Sequence, residues 1–286
     1  MPDLKLVIGS KTYSSWSLRP WLLLRYHNVA FKEVSIALNT PETRKKILDV
    51  SPSGKVPVLI NGPEKVWDSL AICEYAAEIL KLPGAWPTDT VQRFHARSLA
   101  CEMHSGFTDL RSELPMNCRR PPAPHPLSDA AEADVARIRQ IWRSCREQYG
   151  KSGDWLFGKF SIVDAMFAPV ALRFHSYAVP LDGPELEYRE SMLNLPALRE
   201  WLGAAMLETV SAPGTAAPAS RTPTAAPPAP AAAAAPAAAP SQPARKAKAQ
   251  AQAAPPEEAA APGNVSGAKV VSNQGGVRMV SSIIPD

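Results

Sequence analysis

The sequence predicts an α/β domain over residues 1–82, an all-helical domain over 83–210 and an Ala/Pro-rich disordered tail over 211–286. Three observations carry this. Residues 1–82 alternate short apolar, β-branched runs with amphipathic stretches in the order β-α-β-α-β-β-α, which calls for one sheet buried between helices. Inside that stretch Pro57 opens the run Val58-Leu59-Ile60. A proline has no N–H to give a ladder, so it must stand at a strand's first residue, an edge or a bulge. Beyond Pro83-Gly84-Ala85-Trp86-Pro87, a linker by composition, the pattern changes to long helices.

Residues 4–9 read as a short buried strand ended by Gly9-Ser10. A polar turn, Lys11 to Trp16, leads into a helix over 17–26 with Leu18, Trp21, Leu22 and Arg25 at helical spacing and Pro20 in its first turn, where a missing N–H costs little. Residues 31–37 read as a second strand. A charged surface helix over 41–50 follows, capped by Asn39 or Thr40. The turn Asn61-Gly62-Pro63 separates Val58-Leu59-Ile60 from an extended stretch at Val66-Trp67. Asp68 and Ser69 then stand as caps before the apolar stripe Ile72, Ala76, Ile79, Leu80.

In the second domain residues 88–114 carry a helical period. Residues 128–149 form an amphipathic helix striped by Val135, Ile138, Ile141, Trp142 and Cys145. Ser161 and Asp164 read as a capping box, with Phe160 as its staple. The helix behind them, 165–177, is apolar nearly all round and so is expected at the centre, kinked at Pro169. Residues 195–206 make a last short helix. No aromatic residue follows Trp201, and the tail cannot bury enough apolar area to offset its ordering entropy.

Composition removes several function classes. A net charge of +4 with 20% charged residues implies no polyelectrolyte partner, and no basic patch interleaved with aromatics supports nucleic-acid binding. The 4 cysteines are widely spaced, form no metal-binding pattern and read as reduced thiols. No apolar run is long enough to span a bilayer. The first residues are too short and too charged for a signal peptide, so a soluble cytoplasmic protein is expected.

The order loop, Val56-Pro57, hairpin, Asp68-Ser69, helix resembles the glutathione-binding half of the glutathione transferases, whose N-terminal domain is thioredoxin-like. The resemblance covers about residues 1–208 and extends to the Ser161-to-Asp164 cap with its later proline. It implies that the bond before Pro57 is cis, and that the N–H and C=O of Val56 pair with the cysteinyl part of the tripeptide as a ladder would. It implies that Asp68 meets the ligand's amino group, that Ser69 meets its γ-glutamyl carboxylate, and that Lys55 reaches the glycyl carboxylate. It also implies a homodimer.

A free thiol has a pKa near 8.5, and the thiolate is the nucleophile. Hydroxyl and N–H donors at a helix start favour that anion. Ser14-Ser15-Trp16-Ser17 supplies them and is similar to the zeta-type Ser-Ser-Cys-Ser pattern, with Trp16 where that pattern has cysteine. Ser14 and Ser15 are therefore the candidate catalytic residues. Met103, His104, Phe107 and Arg111 on the first long helix are candidates for holding a small electrophile between the domains. His104 is also a candidate acid or base. The carboxylate-binding arginine of zeta-type members falls on Ser176, with Arg173 one turn away. No metal is expected. The activity implied is conjugation of glutathione to an electrophile, of the detoxifying kind. A maleylacetoacetate-type isomerase, a hydroperoxide reductase and a non-catalytic glutathione-binding module are the alternatives.

Overall fold

A computed structural model describes residues 4–38 and 40–209. The first domain contains β1 (Leu4–Ile8), α1 (Ser15–Tyr26), β2 (Lys32–Ser35), α2 (Thr43–Leu48), β3 (Val58–Asn61), β4 (Glu64–Trp67) and α3 (Ser69–Glu78). The strands lie in the order β2-β1-β3-β4. β2 is parallel to β1, while β3 is antiparallel to both β1 and β4. One face of β1, with Leu4, Leu6 and Ile8, packs on Leu18, Trp21 and Leu22 of α1 and Ile72 and Ala76 of α3. Val7 and Val58 face the other way and meet Ile47 of α2. The alternation is the period of two that a sheet covered on both faces requires. The thioredoxin-like arrangement is thus present, and the Val56–Pro57 bond is cis.

The second domain contains α4 (Thr90–Ser105), α5 (Thr108–Glu113), α6 (Asp129–Tyr149), a 3-10 turn (Gly150–Ser152), α7 (Ile162–Ser176), α8 (Gly183–Asn194) and α9 (Pro196–Leu207). α7 is buried along nearly its whole length and packs against α1, α4 and α8, which makes it the central post. The Ser161/Asp164 capping box is formed, the Ser161 N–H donating to Asp164 Oδ2 at 2.9 Å. Phe160 stacks on Tyr26 with ring centroids 4.2 Å apart, so it fastens the cap to α1.

Several expectations are corrected. α1 begins at Ser15, because the Ser14 hydroxyl accepts from the Ser17 N–H as N-cap; Pro20 is therefore the sixth helical residue and lies beyond the first turn. β2 is shorter than expected. α2 has no side-chain cap; Thr40 instead donates its N–H to Thr43 Oγ1. Ile79 leaves the apolar stripe of α3 and is exposed. The helix expected over 88–114 breaks at Gly106-Phe107, where Phe107 takes a left-handed φ of 60°. α8 was not foreseen. Its buried face is Glu185, Tyr188 and Met192: the two apolar side chains are fully buried in the core, and Glu185, 2% exposed, pairs with Arg139 and Arg143 of α6 at 2.9 Å each. The expected disordered tail and the capping role of Asn39 lie outside the described residues.

Candidate functional site

Four pieces of chain meet at a cleft of about 410 Å³. The loop before β3 brings Ser53, Lys55, Val56 and Pro57. The β4–α3 junction brings Trp67, Asp68 and Ser69. Trp16 of α1 and His104 of α4 close the other side. Sequence explains the junction. Asp68 adopts φ 77°, a conformation that turns the chain sharply out of β4, and its Oδ1 accepts the Leu70 N–H at 2.9 Å to start α3. Ser69 is 1% exposed. Its buried hydroxyl has no hydrogen-bond partner among the described residues, although it stands at a helix N-terminus. Such a group is an acceptor and donor in waiting, beside the partial positive charge of the first turn.

Across the cleft His104 Nε2 lies 3.2 Å from Asp68 Oδ2, and the His104 ring meets Trp16 edge-on with centroids 5.3 Å apart. Burial lowers the His104 pKa below its ordinary value; Asp68 opposes this, and Arg19 and Arg111 add to it. At neutral pH the pair is a neutral imidazole against a carboxylate.

Two family models match the chain. "Glutathione S-transferase, N-terminal domain" covers residues 13–79 and "Glutathione S-transferase, C-terminal domain" covers 128–204. The chain belongs to the glutathione S-transferase family. A relative from Caenorhabditis elegans, "Probable maleylacetoacetate isomerase", is 30% identical over 112 residues, or 39% of this chain. The match spans 52% of that relative, so this chain covers about half its length. Among solved structures, a glutathione transferase homologue from Burkholderia with bound glutathione superposes with a TM-score of 0.56 at 20% identity, over 72% of this chain and all of that one. The holo structure of a bacterial zeta-class maleylpyruvate isomerase gives 0.56 at 20% identity, over 73% and 100%. These likenesses are of fold.

In this family member the structure brings Lys55, Val56, Pro57, Asp68, Ser69 and His104 into one cleft. The other candidates stand elsewhere. Ser14 and Ser15 are buried, each 7% exposed, next in sequence to the cleft-lining Trp16 but not themselves in the lining. The Ser14 hydroxyl donates to Ser17 Oγ at 2.8 Å while accepting from the Ser17 N–H. The Ser15 hydroxyl accepts from Arg173 at 3.4 Å, which leaves its proton uncommitted. Met103 is fully buried in the core, and Phe107 sits at the α4–α5 break. Arg111 closes the end of α4: its guanidinium donates to the carbonyls of Met103, His104 and Gly106, where a cation suits the helix dipole. None of these three lines the cleft: Met103 is on the core side of α4, and Phe107 and Arg111 come after the break that follows Ser105.

Sequence reasoning passed over Ser53, Trp16 and Trp67 as cleft walls, and Arg19 altogether. The signal for Arg19 was its spacing: three residues after Trp16 on one helix, it is on the same face, and its guanidinium lies 4.2 Å from the Trp16 ring. Burial holds the thiols of Cys118 and Cys145 up at about 12, and that of Cys73 higher still. These three side chains are poor sources of thiolate.

Proposed function

We propose that this protein is a glutathione transferase acting on a small electrophile. The observation that carries the reading is the unpartnered Ser69 hydroxyl, buried at the start of α3 within one cleft with Asp68 and Val56. Glutathione supplies what each group lacks. Its γ-glutamyl carboxylate takes the Ser69 hydroxyl and the α3 N-terminus, and its ammonium pairs with Asp68. Its cysteinyl backbone pairs with Val56, and its glycyl carboxylate meets the exposed Lys55. The thiol then points toward the start of α1. Family membership and the buried, protonated cysteines support an external thiol as the nucleophile.

Of the two serines, Ser15 is the better donor to the thiolate, because its proton is free and a guanidinium lies behind its oxygen. The thiol proton leaves to water. The sulfur pair forms the S–C bond, and the electrophile's π or leaving-group pair departs from the attacked carbon. The reading includes a homodimer, which would cover the exposed Ile79, Val91 and Phe94 of the α3 and α4 region. It also includes a cytoplasmic place: the described helices hold none long and apolar enough to cross a membrane, and the cysteines are free. A glutathione-dependent isomerase is the second reading, favoured by the names of the nematode relative and of the zeta-class neighbour.

Calorimetric titration with glutathione tests the proposal. Ser69→Ala is expected to weaken binding by about 1.5–3 kcal/mol, the worth of a hydrogen bond to a charged group. Conjugation should then follow with activated alkenes or aryl halides. Equal affinity in the variant removes Ser69 from the site. Turnover of maleylacetoacetate without consumption of glutathione selects the isomerase.

A further inference from the structure

Trp16 is a cleft residue to which the glutathione reading gives no task, and it stands where the Ser-Ser-Cys-Ser pattern has its cysteine. It is half-buried, and three side chains hold its ring. The Arg19 guanidinium lies 4.2 Å from the ring centroid and that of Arg111 4.7 Å, while the His104 ring meets it edge-on at 5.3 Å. Both arginines are tied in their turn. Arg19 Nε donates to the Met166 carbonyl of α7 at 3.0 Å, and Arg111 Nε to the Gly106 carbonyl just past α4 at 2.9 Å. Arg19 is 0% exposed, and its two Nη atoms have no hydrogen-bond partner among the described residues. A buried cation is costly, and an aromatic face laid against it offsets part of that cost. Swinging the indole aside would take that face away. Trp16 is therefore a fixed wall, not a side chain that a ligand pushes back.

The wall stands at the end where the chemistry belongs. In the glutathione reading the tripeptide lies along Lys55, Val56, Asp68 and Ser69, and its sulfur is directed toward the start of α1; Trp16 is the second residue of that helix. A group attached to the sulfur must fit between the peptide and the Trp16–His104 side of the cleft. That space is short. The whole cleft measures about 410 Å³, near the lower end of the roughly 300–1,000 Å³ of small-molecule sites, and a tripeptide takes most of it. Met103, Phe107 and Arg111 are not in the lining, so they add no further room.

We infer that Trp16 sets the size of the second substrate: the clamped indole admits electrophiles that add a short chain to the sulfur and turns away those that bring a ring. The inference rests on the glutathione reading and narrows its substrate class, putting small activated alkenes ahead of aryl halides.

The test reads binding, not turnover. The full-length protein is titrated calorimetrically with glutathione, S-methylglutathione and S-benzylglutathione, whose sulfur substituents stand in for a short and a ring-bearing electrophile. The wild type is expected to bind the S-methyl form about tenfold tighter than the S-benzyl form or better, the penalty of overpacking a fixed wall. An open apolar site would reverse that order, because burying a phenyl ring is favourable. Trp16→Ala should bring the two constants within about twofold or reverse them. Trp16→Phe, which keeps an aromatic face for Arg19 on a smaller wall, should fall between. The ratio of the two constants does not depend on how much of a variant is folded. A wild type that binds both conjugates alike, or a preference that survives Trp16→Ala, overturns the inference while glutathione binding stands. If neither glutathione nor S-methylglutathione binds, the glutathione reading falls and this inference falls with it.

Discussion

At the scale of single residues, function rests on which protons are free. The Ser14 hydroxyl is spent twice, as cap acceptor and as donor to Ser17, whereas the Ser15 proton has no acceptor among the described residues. Ser15→Ala is therefore expected to raise the pKa of bound glutathione thiol by about 1–2 units, the equivalent of losing a hydrogen bond to an anion. Ser14→Ala should leave that pKa in place and cost about 1 kcal/mol of stability as a lost N-cap. Thiolate absorbance against pH separates the two. His104 carries a second expectation. Its pKa is lowered, so at pH 7 it is neutral and leaves the Asp68 charge to the ligand's ammonium. Protonation below about pH 6.5 pairs it with Asp68 and places a cation beside that ammonium. Glutathione affinity should fall as the pH drops from 7 to 5, and His104→Asn should flatten the fall. The sequence disclosed the residue types of this site but not their proton bookkeeping. Ser14 and Ser15 are identical letters, and only the positions of Ser17 and Arg173 distinguish them.

At the scale of elements, the cap of α7 does the most. Asp164 is fully buried and accepts from the N–H groups of Leu156 and Ser161 and from the Ser161 hydroxyl. Asp164→Ala strands those donors, and a loss of about 2–4 kcal/mol in denaturant unfolding is expected from a cap and buried unsatisfied groups together. Burial raises the Asp164 pKa from 3.8 to about 6, with the hydrogen bonds opposing. A raised carboxyl favours the fold while protonated. Its contribution is full below about pH 3.8 and is lost as the pH rises through about 6. Asp164→Asn, which cannot ionise, should lack that part of the decline between pH 4 and 6. This element was legible because a capping box is local: Ser161 and Asp164 are three residues apart. The long helix over 88–114 was not legible as two. Apolar periodicity continues through the break at Gly106-Phe107, which Arg111 supports by donating to the carbonyls of Met103, His104 and Gly106. α8 escaped for the opposite reason. Its buried face joins Tyr188 and Met192 to a charge, Glu185, which reads as surface until Arg139 and Arg143, more than forty residues earlier, are brought against it.

At the scale of the whole described molecule, the residue just past α9 holds the loop that leads into α1. The Glu208 carboxylate, just past α9, accepts from the Ser10 hydroxyl, the Lys11 N–H, the Thr12 N–H and the Thr12 hydroxyl, at 2.8–3.0 Å. Trp201 Nε1 donates to the Lys11 carbonyl at 3.0 Å, and the Arg119 guanidinium donates to the carbonyls of Ala205 and Glu208. These bonds order the loop that ends in Ser14, Ser15 and Trp16, so the second domain sets the geometry of the first domain's helix start. Burial pushes the Glu208 pKa up, but the hydrogen bonds from Thr12, Ser10 and Lys11 outweigh it and the net direction is down. A lowered carboxyl contributes stability above its ordinary pKa and loses it as the pH falls through the lowered value. Glu208→Ala is expected to remove that acid-range dependence and, because Thr12 is fully buried, to cost about 1–3 kcal/mol for the stranded donors. Hydrogen exchange should show where the cost falls. The amides of Lys11 and Thr12 should exchange faster, while those of β1 and β3, bonded within the sheet, keep their protection relative to global unfolding. Uniform loosening of both sets would mean that Glu208 supports the fold at large and does not clamp this loop.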